Sequence, residues 1–449
     1  MRDRSKLTLS AVALVTAATS ACVGHINDAP GDSGVANDVV RSDLGTSDVP
    51  RSDTPIVPMN DVPTVNDVPV GTDTPAPADV GPPPPDGPIE PGFDSGPCGA
   101  TTLAGAMTTT PIGVNARFAA PTSTGGAVVF GSMGSGNVIQ RYDGAGAPVG
   151  TAFGVTINEA YGIAASPDRY AVLYARDSDI LALSVFDTGG TRLADTVLLG
   201  GVPHDVTNNE WFGPLIRQGR VTYSAASNVF VPYFTVQRLW PDGIAHYGDS
   251  LRTVRPDGSP DSTIWGWGCS HSMEVRIASH AAGLGPMCVS DCYPGKGVFY
   301  NHTSQIYLDP SGNCAGTVNT RIGGIAPVAD GFILAFRSPE GRSSLDAAVV
   351  HVNDSGDTVG TVSWLSSGPD AQMVDVATYG DGVIVGWVVG SMGYVQRFSS
   401  AGMPIGTPET IAADLLDGAT DFFAYSNGDA GWVAGGASGS RLVRVRSCM

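Results

Sequence analysis

Between residues 98 and 449 of this 449-residue chain no apolar stretch keeps a helical period for three turns, which argues against a helical bundle and leaves short extended segments as building material. The apolar run from Leu7 to Ala18, broken by Thr8, Ser10 and Thr16, is too short to cross a bilayer. Basic residues are scarce: 24 Lys and Arg stand against 43 Asp and Glu, a formal charge of −19, of which about −10 falls within residues 98–449, and this argues against a nucleic-acid binder that works through phosphates. Residues 23–97 contain a single aromatic, Phe93. No paired carboxylates and no triad stand out as a local motif, so catalysis has no visible address.

What the first hundred residues do have is informative. Arg2, Arg4 and Lys6 precede the short apolar run, the profile of a secretory signal over 1–21. Two cleavages compete: Thr19-Ser20-Ala21 suits ordinary signal peptidase, and Ser20-Ala21-Cys22 resembles a bacterial lipobox with Thr19 in place of Leu. From Val23 to Pro97 there are 15 prolines and 13 acids against two arginines, a composition that cannot bury enough apolar surface to offset its ordering entropy. The near-repeat "SDVPRSDTP…NDVPTVNDVPVGTDTP" and the run "GPPPP" favour an extended, charge-stiffened stalk over 22–97. The stalk carries over half of the net charge, so the acidic total says little about the remaining domain, 98–449.

The chain has seven cysteines, an odd number for an exported protein. If Cys22 carries lipid, the other six (Cys98, Cys269, Cys288, Cys292, Cys314 and Cys448) remain to pair in an oxidising compartment. The expected address is the outer membrane or cell surface, because Val23 rather than Asp follows Cys22; a periplasmic or freely secreted protein is the alternative.

Residues 98–449 hold nearly all the aromatics and read as all-β. Seven stretches, among them "ARFAAPTSTGGAVVFG" and "YGIAASPDRYAVLYA", each show a small-residue strand, a polar or glycine turn and a stronger apolar strand, the pattern of a hairpin. After each hairpin comes another alternating strand. In the first six copies it runs into a D-x-x-G-like turn, anchored at Asp143, Asp187, Asp257, Asp309, Asn353 and Ser399, with spacings of 44, 70, 52, 44 and 46 residues. A period of about 45 residues with four short strands predicts a β-propeller of seven blades. The seventh copy lacks a fourth strand and residues 101–114 precede the first hairpin without a blade, so the N-terminal strand is expected to complete the last blade. That closure brings Cys98 to Cys448, where a disulfide would staple the ring. For the others the most plausible pairs are Cys269 with Cys288 and Cys292 with Cys314, among three possible connectivities.

With its lipobox-like Ser20-Ala21-Cys22, its Asp/Pro-rich stalk and its degenerate repeats, the chain resembles the propeller-bearing lipoproteins of large Gram-negative genomes. The resemblance implies a lipid-anchored envelope protein and carries over no catalytic residue. The Trp-Asp blade ends of WD40 proteins, the double glycine of kelch blades and the S-x-D-x-G-x-T-W box of sialidase-like propellers are all missing.

Departures from regularity are where a ligand is expected, because insertions project as loops from one face of a propeller. Residues 201–220, 262–275 and 286–297 are such insertions. They hold or adjoin Trp211, Trp240, Trp265, Trp267, His204, His271 and His280. Exposed Trp and Tyr suit protein, peptide or sugar contacts, whereas a tryptophan in a blade is more often core. His204-Asp205 and Cys269-Ser270-His271 lack the spacing that lets two ligands point at one metal, and the C-x₃-C of Cys288 and Cys292, with Cys269 and Cys314 close by, more simply forms disulfides, with zinc the minor alternative; no metal and no cofactor is expected. "DSD" at 177–179, "NDSGD" at 353–357 and "GSMGSGN" at 131–137 read as solvated turns.

Two functions from different classes fit: a non-enzymatic binding or scaffold module for protein or glycan at the envelope, which is favoured, and a propeller hydrolase or lyase acting on extracellular polysaccharide, with carboxylates contributed by different blades. Metabolic labelling with a fatty-acid analogue tests the address. Label is expected on the wild-type chain and none on Cys22→Ser; equal labelling of both contradicts lipidation at Cys22.

Overall fold

The computed structural model describes residues 102–447 apart from 201–209, 214–216, 241–242, 270, 292–294, 310–318, 340–341, 417–419 and 436–438. Cys22, Cys98, Cys292, Cys314, Cys448 and His204 lie outside the described residues, as do the signal and stalk. The described chain forms seven antiparallel sheets arranged as a seven-bladed β-propeller. Blades 1 to 6 occupy 115–155, 159–199, 210–268, 272–308, 321–364 and 371–412; blade 7 combines 423–445 with 107–111.

Each of the seven predicted hairpins forms the first two strands of a blade, as in Asn115–Pro121 with Ala127–Met133. The second strands are continuous apolar runs because both of their faces are covered by neighbouring blades. In blade 1, Val128 and Phe130 point into the interface with blade 2, while Ala127 and Val129 point into the interface with blade 7. The buried apolar residues accordingly fall into seven clusters, one for each contact between neighbouring blades. Seven blades in an open row have only six contacts. The seventh, where Val433, Leu442, Phe423 and Tyr425 of blade 7 meet Val114, Ala127 and Tyr142, is the closure of the ring.

Closure follows the route expected from the ends of the repeat. Met107–Pro111 lies antiparallel to the last strand, Arg441–Val445, and supplies the fourth strand of blade 7. The short helix Leu103–Ala106 before it is held by two caps: the Thr102 hydroxyl accepts from Gly105 N at 3.0 Å, and the Glu409 carboxylate of blade 6 accepts from Leu103 N and Ala104 N at 2.8 and 2.9 Å. Arg444 adds a buried link. Its Nε donates to Asp429 Oδ2 at 2.7 Å and its Nη1 donates to the carbonyls of Gly125 and Gly144 in blade 1.

Two of the turn anchors read from the sequence are displaced. In blades 1, 2, 5 and 6 the anchor side chain and a glycine three residues on close the third turn as expected; Asp143 Oδ1 accepts from Ala145 N and Ala147 N while Gly146 takes φ 82°. In blade 3 the turn begins at Arg255, not Asp257, since Arg255 N pairs with Ser259 O and the glycine with positive φ is Gly258. In blade 4 Gln305, Ile306 and Tyr307 belong to the fourth strand, Ser304–Leu308, and the third strand is Lys296–Tyr300. Asp309 is 2% exposed and accepts from Thr320 N and Oγ1, so it is a buried tie to the next blade rather than a turn residue. The real turn holds Asn301 and His302 in the left-handed region, which Asn tolerates well.

Cys269 and Cys288 are joined, as the most plausible pairing had it, with Cα atoms 6.6 Å apart in the core between blades 3 and 4. By loop entropy the bond contributes about 3 kcal/mol.

Replacing Arg444 by Met leaves Asp429 charged and buried without its partner. Chemical denaturation is expected to show a loss of about 3–5 kcal/mol, with most of it recovered in Arg444→Met/Asp429→Leu. A loss below about 1 kcal/mol for the single variant contradicts a structural role for this pair.

Candidate functional site

In an antiparallel four-stranded blade, the links between second and third strands and from one blade to the next emerge on one face, and the remaining turns on the other. The connections from Leu199 to Gly219, from Leu239 to Ala245 and from Gly268 to Ser272 all belong to the first set, so the departures from regularity in and around blade 3 fall on one face of the ring. Two groups of side chains gather towards it: a charged network on the axis and an aromatic platform on blades 3 and 4.

The axial network comes from the inner strands. Arg220 of blade 3 grips Asp421, in the link to blade 7, through both Nε and Nη2, and Arg276 Nε of blade 4 is 3.5 Å from Asp421 Oδ1. Blades 3 and 7 are not neighbours, so this ion pair spans the channel. Asp375 of blade 6 is 6% exposed; its carboxylate accepts from Val376 N at 2.7 Å and Phe422 N at 3.1 Å. A Cβ on Gly324 would fall 1.8 Å from Asp375 Oδ1, which explains the glycine opposite it. Burial and the nearby Asp421 charge push Asp375 up to about 7. Asp421 is held below the ordinary range: burial opposes its charge, but the Arg220 and Arg276 guanidinium groups outweigh that cost. Beside the network lies a cavity of about 190 Å³, walled by Phe118, Ile163, Ile277 and Phe422.

The aromatic platform exists because blade 3 is longer than its neighbours. Its second strand, Val229–Leu239, runs 11 residues, and its third starts at Ala245, so the hairpin reaches past the inner strand Gly219–Ser224. Glu210–Trp211, returning from the insertion, pairs with the overhang at Gln237 and Arg238. Glu210 is clasped by Arg238 and has Arg252 Nη2 3.7 Å from Oε2. On this extension Trp240 is 39% exposed, with its ring 5.9 Å from both Trp267 and His246. The Arg238 guanidinium lies 5.0 Å from the Trp267 ring. His246 and His271 stack at 5.1 Å, and Tyr247 packs on His271 at 5.0 Å.

Of the residues singled out from the sequence, Trp240, Trp267 and His271 therefore come together. Trp211 is 5% exposed and serves as interior of the extension, leaving no ring face for a ligand. Trp265 is turned to structure: its Nε1 donates to Asp249 Oδ1 at 3.0 Å and its ring lies 4.4 Å from His302, whose imidazole pKa burial pushes down. His280 sits apart, 2.7 Å from Asp354. Sequence reasoning missed His246, Tyr247 and Asp291, which no local motif joins to His271. A signal for His246 was the short connection from Leu239 to Ala245, which sets Trp240 and His246 near the end of one hairpin.

Asp249, Cys269 and Cys288 set one oxygen and two sulfurs within 4.8 Å of one another, but the sulfurs form a disulfide and Asp249 accepts from Tyr233 and Trp265, so this group is a structural knot. Asp375 and Asp421 are committed to backbone N–H groups and to arginine. Among the described residues the histidines lie with other partners, and none is bonded to either carboxylate.

Fold and site define a seven-bladed β-propeller whose irregular face carries a half-exposed aromatic platform. No protein-family model matches the sequence, and no curated protein matches it. Solved structures similar to it include prolyl oligopeptidase B from Galerina marginata, at 10% identity and a TM-score of 0.41 over 74% of this chain and 47% of that one. Prolyl endopeptidases are similar at 12% identity and a TM-score of 0.41, over 76% and 50%. The β-propeller domain of Myceliophteria thermophila Cps50 (Swd1) gives 8% and 0.42, over 75% and 98%. The chain spans about half the length of the peptidases it matches.

The axial network makes a pH prediction. The folded-state value of Asp375 lies above its unfolded value near 4. The folded state therefore holds the proton more tightly, and this contribution to stability is fully present below pH 4 and lost as pH rises through about 7. The difference in unfolding midpoint between the wild-type protein and Asp375→Asn is expected to shift in favour of the variant from pH 5 to 8. Parallel pH profiles contradict the account.

Proposed function

We propose that this chain is a cell-envelope binding module: a propeller held off the membrane by the 23–97 stalk and a lipidated Cys22, which recognises a protein or glycan on its irregular face. The observation that carries the reading is Trp240, exposed beside Trp267, His246 and Arg238 on a hairpin that overhangs the ring and is braced by the Glu210 clasp. Flat rings with polar edges, presented on a rigid support, suit the apolar face of a sugar or the side chains of a peptide. The seven-bladed scaffold supports the reading because its core is complete without the overhang, so that face is free to vary.

A hydrolase or lyase acting on extracellular polysaccharide is the alternative, and the observation in its favour is the opposite displacement of Asp375 and Asp421. Binding is favoured because both carboxylates are already engaged: Asp375 with two backbone N–H groups and Asp421 with Arg220.

A screen of the exported protein against envelope glycans and envelope proteins tests the proposal. A ligand found there is expected to bind Trp240→Ala at least tenfold more weakly, with the fold and the Cys269–Cys288 bond intact. Wild-type affinity in both Trp240→Ala and Trp267→Ala contradicts recognition at this platform, and turnover of a polysaccharide lost in Asp421→Asn favours the enzyme.

A further inference from the structure

On the face opposite the aromatic platform, the first and third turns of blade 3 and the first turn of blade 4 enclose a cleft of about 470 Å³, within the size range of small-molecule sites. Two irregularities in the outer strand Pro260–Gly268 shape it. Val254 pairs with Pro260 and Thr253 with Ser262, so Asp261 is an extra residue; Arg252 pairs with Thr263 and Leu251 with Trp265, so Ile264 is another. A bulge turns a side chain out of the regular alternation of its strand. Asp261 and its neighbour Ser262 accordingly both reach the Thr253 hydroxyl, each at 2.9 Å, and Ile264 is left 46% exposed. The bulge does not itself call for an acid. Blade 2 has the same irregularity beside the pair Phe186 and Arg192, and its extra residue is Leu193.

The polar groups of the cleft offer a donor beside an acceptor. Arg255 Nε donates to Asp261 Oδ1 at 3.1 Å, with Nη2 3.0 Å from the same oxygen, and the Thr253 hydroxyl donates to Oδ2. A guanidinium has five N–H donors and a carboxylate about four acceptor sites, so Arg255 Nη1 and one lone pair of Asp261 Oδ2 remain for a ligand. The Thr253 proton is spent on Asp261, so the Ser262 hydroxyl donates to Thr253 and keeps its own lone pairs. Across the turn, Asn228 accepts from the Tyr223 hydroxyl through Oδ1 at 2.7 Å and retains its Nδ2 donors. Thr253 and Arg255 hold the Asp261 carboxyl below its ordinary range, which keeps it an acceptor at neutral pH. The two charges cancel, and the rest of the lining is hydroxyl, amide and aliphatic. An ion of either sign meets a like charge here; a neutral ligand does not. A sugar hydroxyl both donates and accepts, so two adjacent hydroxyls match a carboxylate beside a guanidinium, and the C–H face of the ring matches Ile264 and Leu284.

We infer that this cleft is a second binding site, for a neutral sugar residue: one hydroxyl donates to Asp261 Oδ2, an adjacent one accepts from Arg255 Nη1, and the ring lies on Ile264 and Leu284. Binding forms hydrogen bonds only, and no covalent bond is made or broken. The site lies on the other face of the ring from Trp240, so the inference stands independently of which protein or glycan the platform recognises.

Saturation-transfer NMR and calorimetry on the exported protein test it, with glucose, galactose, mannose and fucose each added alone and galacturonate as the charged control. At least one of the neutral sugars is expected to saturate a single site, and galacturonate to bind more weakly. Arg255→Met and Asp261→Leu are each expected to weaken the sugar about tenfold or more, the loss of a hydrogen bond to a charged group. Trp240→Ala is expected to leave its affinity unchanged. Asp261→Leu places at this bulge the residue that blade 2 has at its own, so the strand keeps its course; circular dichroism and the thermal midpoint check that. If none of the four neutral sugars binds saturably, or if Arg255→Met/Asp261→Leu binds as tightly as the wild type, the site is overturned. Loss of the sugar in Trp240→Ala but not in that double variant overturns it too, and assigns the sugar to the platform. Tighter binding of galacturonate than of every neutral sugar overturns the ligand class.

Discussion

Met107–Pro111 reaches Arg441–Val445 across more than 330 positions of chain, and the closed ring depends on that pairing. Without it blade 7 has three strands and Arg441–Val445 is left as an uncovered sheet edge. A single strand pairing is modest in itself. It is reinforced by groups that are useful only when both ends are present: the Glu409 cap on Leu103–Ala106, the Arg446 N–H on Ala106 O, and Arg444 reaching Gly125 and Gly144. Closure therefore turns seven similar interfaces into one cooperative object.

The axial charges are a further consequence. In a closed ring, equivalent positions of the inner strands converge, so residues that repeat in the sequence meet in space. The position just before the apolar-small segment of each inner strand is Arg117, Gly162, Arg220, Arg276, Gly324 and Asp375 in blades 1 to 6, and Asp421 lies one residue earlier in blade 7. The network thus joins one repeat position, Arg220, Arg276 and Asp375, to the position before it, Asp421, and its opposed charges offset the cost of burying them. The aromatic platform has the opposite origin. It belongs to one blade only, where an insertion lengthened a hairpin that the ring does not need.

Much of this was legible beforehand. Seven hairpins, four-stranded blades and an N-terminal strand completing the last one follow from hydrophobic alternation and turn residues, because each second strand is buried on both faces. The turn anchors were less legible. Asp257 and Asp309 both sit in D-x-x-G-like strings, yet Gly258 sets the blade 3 turn two residues earlier and Asp309 is buried against Thr320. A short acidic turn motif does not reveal whether its carboxylate faces water or a neighbouring blade. The site was legible in part: Trp240, Trp267 and His271 were flagged by their crowding in the irregular region, but His246 and Asp291 join them only through hairpin register and blade contact. Trp211 shows the limit of composition, for a tryptophan in an insertion can equally be the residue that packs the insertion down.

Native-state hydrogen exchange, read by mass spectrometry on the terminal peptides, tests closure most directly. If Met107–Pro111 is an integral strand, its amides exchange only with global unfolding, at the same rate and with the same denaturant dependence as those of Arg441–Val445 and Ala430–Ala434. Exchange of 107–111 orders of magnitude faster than 430–434 would mean that the N-terminal strand frays from a ring already stable without it, and would contradict the account.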